Sequence, residues 1–142
     1  MQLNGLSSVY GGVDHLGIAV RDLAQAKATY EGVLGFRVSG EETLEARGLH
    51  IAFVETGGSR IELIAPLHPK SEISAFLDKR GEGLHHVCVR VADLTLALAH
   101  IKAQGGRLID EAPRPGAHGT RVAFVHPKST HGVLLELVEH HD

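Results

Sequence analysis

Four residues of the types that bind divalent cations occur at matching places in two similar stretches of this sequence. His15 and His86 are 71 positions apart, and Glu62 and Glu136 are 74 positions apart. Imidazole nitrogens and carboxylate oxygens together suit ions such as Co, Ni, Mn or Fe. Four protein ligands leave positions open on an octahedral ion, as a catalytic metal requires. If the two stretches pack as a pseudo-twofold pair, the four side chains converge on one metal site.

An internal repeat relates the two stretches. The segment "DHLGIAVRDLAQAKATYEGVLGFRV" from Asp14 matches "HHVCVRVADLTLALAHIKAQGGRLI" from His85 at an offset of 71. The same offset relates "HIAFV" to "RVAFV", and "IELI" meets "LELV" three residues later because the second copy has a longer turn. A single histidine or glutamate on a strand is more often a hydrogen-bonded or solvent-facing residue than a ligand. The superposition of both residue types by the repeat favours the ligand interpretation.

Each copy has the pattern of a βαβββ module, which predicts an α+β fold. Asp22 and Asp93 are expected to cap the two helices, because a carboxylate accepts hydrogen bonds from the first helical turn. Apolar residues at helical spacing predict a core-facing stripe on each helix. These stripes are Leu23, Ala26, Tyr30 and Val33 in the first copy, and Leu94, Ala97, Leu98 and Ile101 in the second. The predicted strands are about 13–20, 36–42, 49–55 and 59–65, then 84–91, 106–111, 120–126 and 133–139.

The pattern also predicts how the chain is divided. Ser71 and Gly81 are expected to begin and end a short helix between the two modules. The predicted divisions are a flexible N-terminus (1–12), a first module (13–66), a linker with this helix (67–83), a second module (84–139) and a tail (140–142).

The neighbouring histidines in "GLHHVCVRV" are expected to have different roles, because successive side chains on a strand point to opposite faces. The repeat aligns His86 with His15, so His86 is the predicted ligand and His85 a packing or hydrogen-bonding residue. Cys88 is expected to be a small packing residue rather than a nucleophile. Among the other histidines, those at 68, 100, 140 and 141 are expected to be solvated, whereas those at 118, 126 and 131 lie in or beside loops of the second copy from which they could contact a substrate.

Composition excludes several classes of protein. The 142 residues include 14 basic and 17 acidic ones, a net charge of −3, with no basic stripe that would bind nucleic acid. Apolar runs are short and the N-terminal segment lacks the features of a signal peptide, so no membrane association is expected. The single cysteine, Cys88, cannot form an internal disulfide, which fits a reducing compartment. We therefore expect a soluble cytoplasmic protein.

The quoted repeat, together with "IELIAPL", "GAHG" and "HPKSTHGVLLELVE", resembles the methylmalonyl-CoA epimerases of the vicinal oxygen chelate superfamily, from about Val13 to Glu139. The resemblance implies two tandem βαβββ modules in a cupped mixed sheet, with a divalent ion (Co, Ni, Mn, Zn or Fe) on the four ligands named above. It implies interconversion of (R)- and (S)-methylmalonyl-CoA by removal of the C2 proton through a metal-stabilised enediolate. It also implies an acyl-CoA substrate and a homodimer.

One departure from the resemblance concerns the catalytic bases. Some epimerases place a glutamate proposed as a base where this chain has Ile51. Glu136 is therefore the first candidate for a combined ligand and base, and Glu62 is the candidate for its partner. Two alternatives stay open: a glyoxalase I-like lactoylglutathione lyase, and a non-catalytic small-molecule-binding protein of the same fold.

Overall fold

The computed structural model describes residues 9–141, which form two compact units. One unit is the continuous segment His15–His85, and the other comprises the chain before and after it. Residues 1–8 of the predicted flexible N-terminus, and residue 142 of the predicted tail, lie outside the described part. The strand predicted from residue 13 already begins at Tyr10. The predicted division into modules, linker and tails stays a prediction.

The elements follow the predicted βαβββ order in both copies, with one helix between them. The strands are β1 (Tyr10–Ala19), β2 (Arg37–Leu44), β3 (Leu49–Glu55), β4 (Arg60–Pro66), β5 (Gly83–Val91), β6 (Arg114–Pro115), β7 (Arg121–Val125) and β8 (Leu135–Glu139). The helices are α1 (Leu23–Ala28), which continues into a π-helical turn (Thr29–Val33), α2 (Glu72–Arg80) and α3 (Leu94–Ala103). The predicted α+β fold is thereby confirmed. No helix in the described residues is both long enough and apolar enough to cross a membrane.

In the unit His15–His85, the strands are arranged in the order β2-β3-β4-β1. β1 is parallel to β4, and the other pairs are antiparallel. Asp22 caps helix α1, since its carboxylate accepts from the Gln25 N–H at 3.1 Å, as predicted. The buried core against this helix consists of Val20, Leu23, Ala52, Val54, Leu63 and Ala65. Because side chains alternate along each strand, His15 and Glu62 lie on the other face of the sheet.

The other unit repeats this arrangement with the order β5-β8-β7-β6, in which β5 is parallel to β8. Asp93 caps α3 by accepting from the Leu96 N–H at 3.0 Å, as predicted. The core on the helix side contains Val91, Leu94, Ala97, Leu98, Ala123, Val125 and Leu137. His86 and Glu136 belong to the opposite face of this sheet.

The prediction that Val33 faces the core is wrong. Its side chain is 79% exposed. The helix changes to a π-helical turn, in which the N–H of Leu34 donates to the carbonyl of Thr29 at 3.0 Å, five residues earlier. The wider turn shifts the helical phase. Leu23 therefore stays buried and Tyr30 still packs on the core, but Val33 is turned outward.

The prediction of a strand over 106–111 is also wrong. Leu108 alone forms a bridge to β7 in this segment, and the two-residue strand β6 follows it. The Asp110 carboxylate accepts from the Phe124 N–H at 2.8 Å, which takes the place of a backbone carbonyl. A side chain that captures a backbone donor of the neighbouring strand interrupts regular pairing.

Candidate metal and catalytic site

The first histidine–glutamate pair lies in the unit His15–His85. β1 and β4 run parallel with Gly17 opposite Glu62, so His15 on β1 lies beside Glu62 on the shared face. The His15 Nδ1 and Glu62 Oε2 atoms are 3.3 Å apart. Both residues are buried, with exposures of 5% and 4%. A buried carboxylate needs a hydrogen-bonding or cationic partner, which this imidazole supplies.

Arg60 is a member of this site that the sequence analysis did not identify. It lies two residues before Glu62 and so on the same face of β4. Its Nη2 atom is 3.1 Å from Glu62 Oε2, and its guanidinium lies over the Phe53 ring at 5.1 Å from the centroid. A neighbouring cation favours the ionised form of a carboxylate, which suits a metal ligand. The sequence "RIE" on a predicted strand could have indicated this contact, because residues two positions apart on a strand share a face.

The second pair is built in the same way in the other unit. β5 and β8 run parallel with Cys88 opposite Glu136. The His86 Nε2 and Glu136 Oε1 atoms are 2.9 Å apart, and each residue is 4% exposed. The Phe124 ring meets the His86 ring edge-on, with centroids 5.5 Å apart and an interplanar angle of 85°. This contact restricts the orientation of the imidazole.

The residue that precedes the glutamate by two positions differs between the two pairs. The residue two before Glu136 is Leu134, whereas the residue two before Glu62 is Arg60. The repeat therefore supplies the same pair of ligand types twice, with an arginine near each pair. Arg60 lies on the same strand as Glu62, and the guanidinium of Arg114 on β6 lies over the Phe124 ring at 5.6 Å from the centroid.

The doublet at 85 and 86 separates as the strand alternation predicted. His85 packs edge-on against Phe76 of α2, with ring centroids 4.9 Å apart. Cys88 is fully buried and clusters with Val122 and Val138 on the face that carries His86. Both residues therefore occupy packing positions.

His140 is not the solvated tail residue that the sequence analysis expected. Its Nε2 atom is 2.7 Å from Asp14 Oδ1, and the same oxygen is 3.4 Å from Arg90 Nη2. The side chain of Asp14 is only 7% exposed. This pairing joins residues 126 positions apart. Local sequence gives no sign of such a contact.

Glu42 is a second carboxylate on the face that carries Glu62. Ile51 is 3% exposed and lies opposite Glu42 on β2 and opposite Ile64 on β4. Side chains directly opposite each other on neighbouring strands share a face. The position that lacks a glutamate on β3 therefore has one beside it on the next strand.

The donor atoms of both pairs fit a divalent first-row metal. Each unit contributes one imidazole and one carboxylate, both buried, and this mixed nitrogen and oxygen set suits Co, Ni, Mn, Zn or Fe. The structure thus brings His15 to Glu62, and His86 to Glu136, as two pairs.

Comparison with known protein families identifies the class to which this fold and these residue pairs belong. A family model described as Glyoxalase/Bleomycin resistance protein/Dioxygenase superfamily matches residues 14–124. The chain belongs to this superfamily.

Within the superfamily, the similar relatives include methylmalonyl-CoA epimerases, which confirms the resemblance seen in the sequence. The human mitochondrial enzyme is 39% identical over 137 residues, covering 96% of this chain and 78% of the relative. The crystal structure of methylmalonyl-CoA epimerase from Mycobacterium tuberculosis superposes with a TM-score of 0.90 at 40% identity, covering 100% of this chain and 94% of that one. A methylmalonyl-CoA epimerase in complex with methylmalonyl-CoA and NH4+ has a TM-score of 0.86 at 37% identity, covering 92% and 94%.

Proposed function

We propose that this protein interconverts the (R) and (S) forms of methylmalonyl-CoA by removing and returning the proton at C2. The observation that carries the proposal is the pair of buried histidine–glutamate contacts at repeat-related positions. The similarity to enzymes named for this reaction, over most of both chains, supports the same substrate class.

The proposed metal ligands are His15, Glu62, His86 and Glu136, with one divalent ion held by both pairs. The pseudo-symmetry of the repeat and the matching donor types support this assignment. When bound, such an ion would act as a Lewis acid that stabilises the negative charge developing on the substrate oxygens.

Glu136 is the proposed base. Its carboxylate accepts the C2 proton, and the electron pair left on carbon is delocalised onto the thioester oxygen. A positioned base of this kind contributes roughly 10² to 10⁴ in rate. The 2.9 Å contact with His86 and the Phe124 ring beyond it orient the Glu136 side chain.

A second acid must then return a proton to the other face of C2, and two glutamates are suited to this step. Glu62 is related to Glu136 by the repeat and lies within reach of His15 and Arg60. Glu42 shares the same face of the sheet opposite Ile51. We propose Glu62 as the partner of Glu136, and Glu42 is the residue to test against it.

Proton NMR of methylmalonyl-CoA in D₂O with metal-loaded protein tests the activity. We expect the C2 proton signal to disappear through exchange, and the opposite enantiomer to accumulate. Failure of the wild-type protein to exchange this proton above background would overturn the epimerase proposal. Turnover of a glutathione hemithioacetal in its place would favour the lactoylglutathione lyase, and binding without turnover would favour a non-catalytic binding protein.

Single substitutions separate the roles of the glutamates. We expect Glu136→Gln to abolish both exchange and inversion. If Glu62 is the second acid, Glu62→Gln retains some exchange but loses inversion, while Glu42→Gln retains both. Inversion at the wild-type rate in Glu62→Gln would sink the two-glutamate scheme.

The expected homodimer and cytoplasmic location stay predictions.

A further inference from the structure

Three residues with basic side chains lie at or beside the turn between β7 and β8. Arg107 follows α3, and His126 and Lys128 lie in "HPKS" directly after β7. Hydrogen bonds tie Arg107 to the turn: the His126 N–H donates to the Arg107 carbonyl at 2.9 Å, and the Arg107 N–H donates to the side-chain oxygen Oγ of Ser129 at 2.7 Å. The Lys128 N–H donates to His126 Nδ1 at 3.0 Å. These bonds therefore hold the two cationic residues, Arg107 and Lys128, close to His126.

The positive charges of Arg107 and Lys128 act on His126 in this basic turn. Desolvation, and then the positive charges of Arg107 and Lys128, lower the pKa of His126. Within residues 9–141, the side chains of Arg107 and Lys128 form no ion pair with a carboxylate. Lys102, which lies on α3 in the same unit, pairs with Glu111 at 2.7 Å. Cations that are close to one another and lack acidic partners form a surface suited to an anion.

The basic turn also lies on the sheet that carries the second histidine–glutamate pair. His126 is two residues after Phe124, so both belong to the same face, with Cα atoms about 7 Å apart. Phe124 lies opposite Glu136 and touches the His86 ring. An anion bound at the turn would therefore sit along the sheet from the proposed base, without competing for it.

We propose that Arg107, His126 and Lys128 bind phosphate groups of the coenzyme A portion of the substrate. This inference rests on the proposed acyl-CoA substrate and adds a recognition site to it. The guanidinium offers paired donors to phosphate oxygens, and the ammonium supplies a compact charge. The neutral His126 ring adds one donor, because its Nδ1 atom already accepts from Lys128 and Nε2 then carries the proton. The flexible pantetheine arm joins this site to the reacting acyl group.

The test compares Arg107→Gln and Lys128→Gln with the matched variant Lys102→Gln. The first measurement is the dissociation constant of free coenzyme A, titrated calorimetrically at low and high salt. Loss of one charge-assisted hydrogen bond predicts roughly tenfold to hundredfold weaker binding in the first two variants. We expect Lys102→Gln to bind as the wild type does, and the difference between variants to shrink at high salt.

The second measurement is KM for methylmalonyl-CoA and for methylmalonyl-pantetheine, which lacks the nucleotide phosphates. We expect the two variants to raise KM for the CoA ester only, with kcat retained. Unchanged coenzyme A binding in both variants would overturn the phosphate site, whatever their activity. An equal rise in KM for both substrates would also overturn the phosphate site, because the substitutions would then act through the fold and not through the nucleotide phosphates. If the wild type turns over neither substrate while coenzyme A binding still weakens as expected, the phosphate site stands and the epimerase proposal fails.

Discussion

Replacing the two neighbouring histidines one at a time separates the proposed ligand from the packing residue. A ligand that binds only the folded protein stabilises it by RT ln(1 + [L]/Kd), which is about 2.7 kcal/mol when the metal concentration is 100 times Kd. Residues that merely support a ligand change affinity by about 10-fold to 100-fold, and a lost ligand costs at least as much. His86→Ala should therefore retain at most about 1.4 kcal/mol of the metal-induced stabilisation, and about 0.4 kcal/mol if Kd rises 100-fold.

His85→Ala should retain the full metal-induced stabilisation. Its expected cost is about 0.5–1.5 kcal/mol with or without metal, from the edge-on contact of His85 with Phe76. In the absence of metal, His86→Ala should cost about 1–3 kcal/mol, because Glu136 stays buried with one hydrogen-bonding partner fewer.

Urea unfolding followed by circular dichroism, with and without Co²⁺, measures both quantities, and metal analysis after dialysis gives the stoichiometry. The reasoning is refuted if His86→Ala keeps stoichiometric metal and the full increment. It is refuted equally if His85→Ala loses them.

Three further changes test other parts of the structure. Arg60→Leu should lower metal affinity and destabilise the protein by about 1–3 kcal/mol, because the buried Glu62 carboxylate loses its partly exposed charged partner. Metal titration and urea unfolding measure this, and unchanged affinity would contradict it. Cys88→Ala should cost about 1 kcal/mol and leave epimerase activity intact, since the thiol packs in the interior; loss of activity at full metal content would show a chemical role. The hydrogen bond from Lys27 lowers the pKa of Glu41. The stabilisation of the fold by this pair is therefore present above the ordinary glutamate pKa and is lost as the pH falls through the lowered value. Glu41→Gln should therefore lower the free energy of unfolding by under about 1 kcal/mol at neutral pH and leave it unchanged in acid. Urea unfolding at several pH values measures this, and an equal loss at neutral and acid pH would contradict it.

The sequence alone predicted the repeat, the βαβββ order and the two helix caps, because these features depend on local periods and on side chains a few residues apart. Alternation along "GLHHVCVRV", together with the repeat that aligns His86 with His15, was enough to separate the roles expected of His85 and His86. Cys88 has no repeat partner and no assigned base, which predicted a packing residue, and its complete burial supports this.

Tertiary structure decided the contacts that depend on register and on competition for hydrogen bonds. The parallel alignment of β1 with β4 fixes the 3.3 Å contact of His15 with Glu62 and brings Arg60 into it. A carboxylate of Asp110 displaced the regular pairing of a predicted strand.

The π-helical turn exposes Val33, and a contact with the distant Asp14 fixes the position of the His140 side chain. Hydrophobic spacing reports how a backbone repeats along its own axis. Which polar atoms then meet depends on side chains brought together from distant parts of the chain, and no local pattern records them.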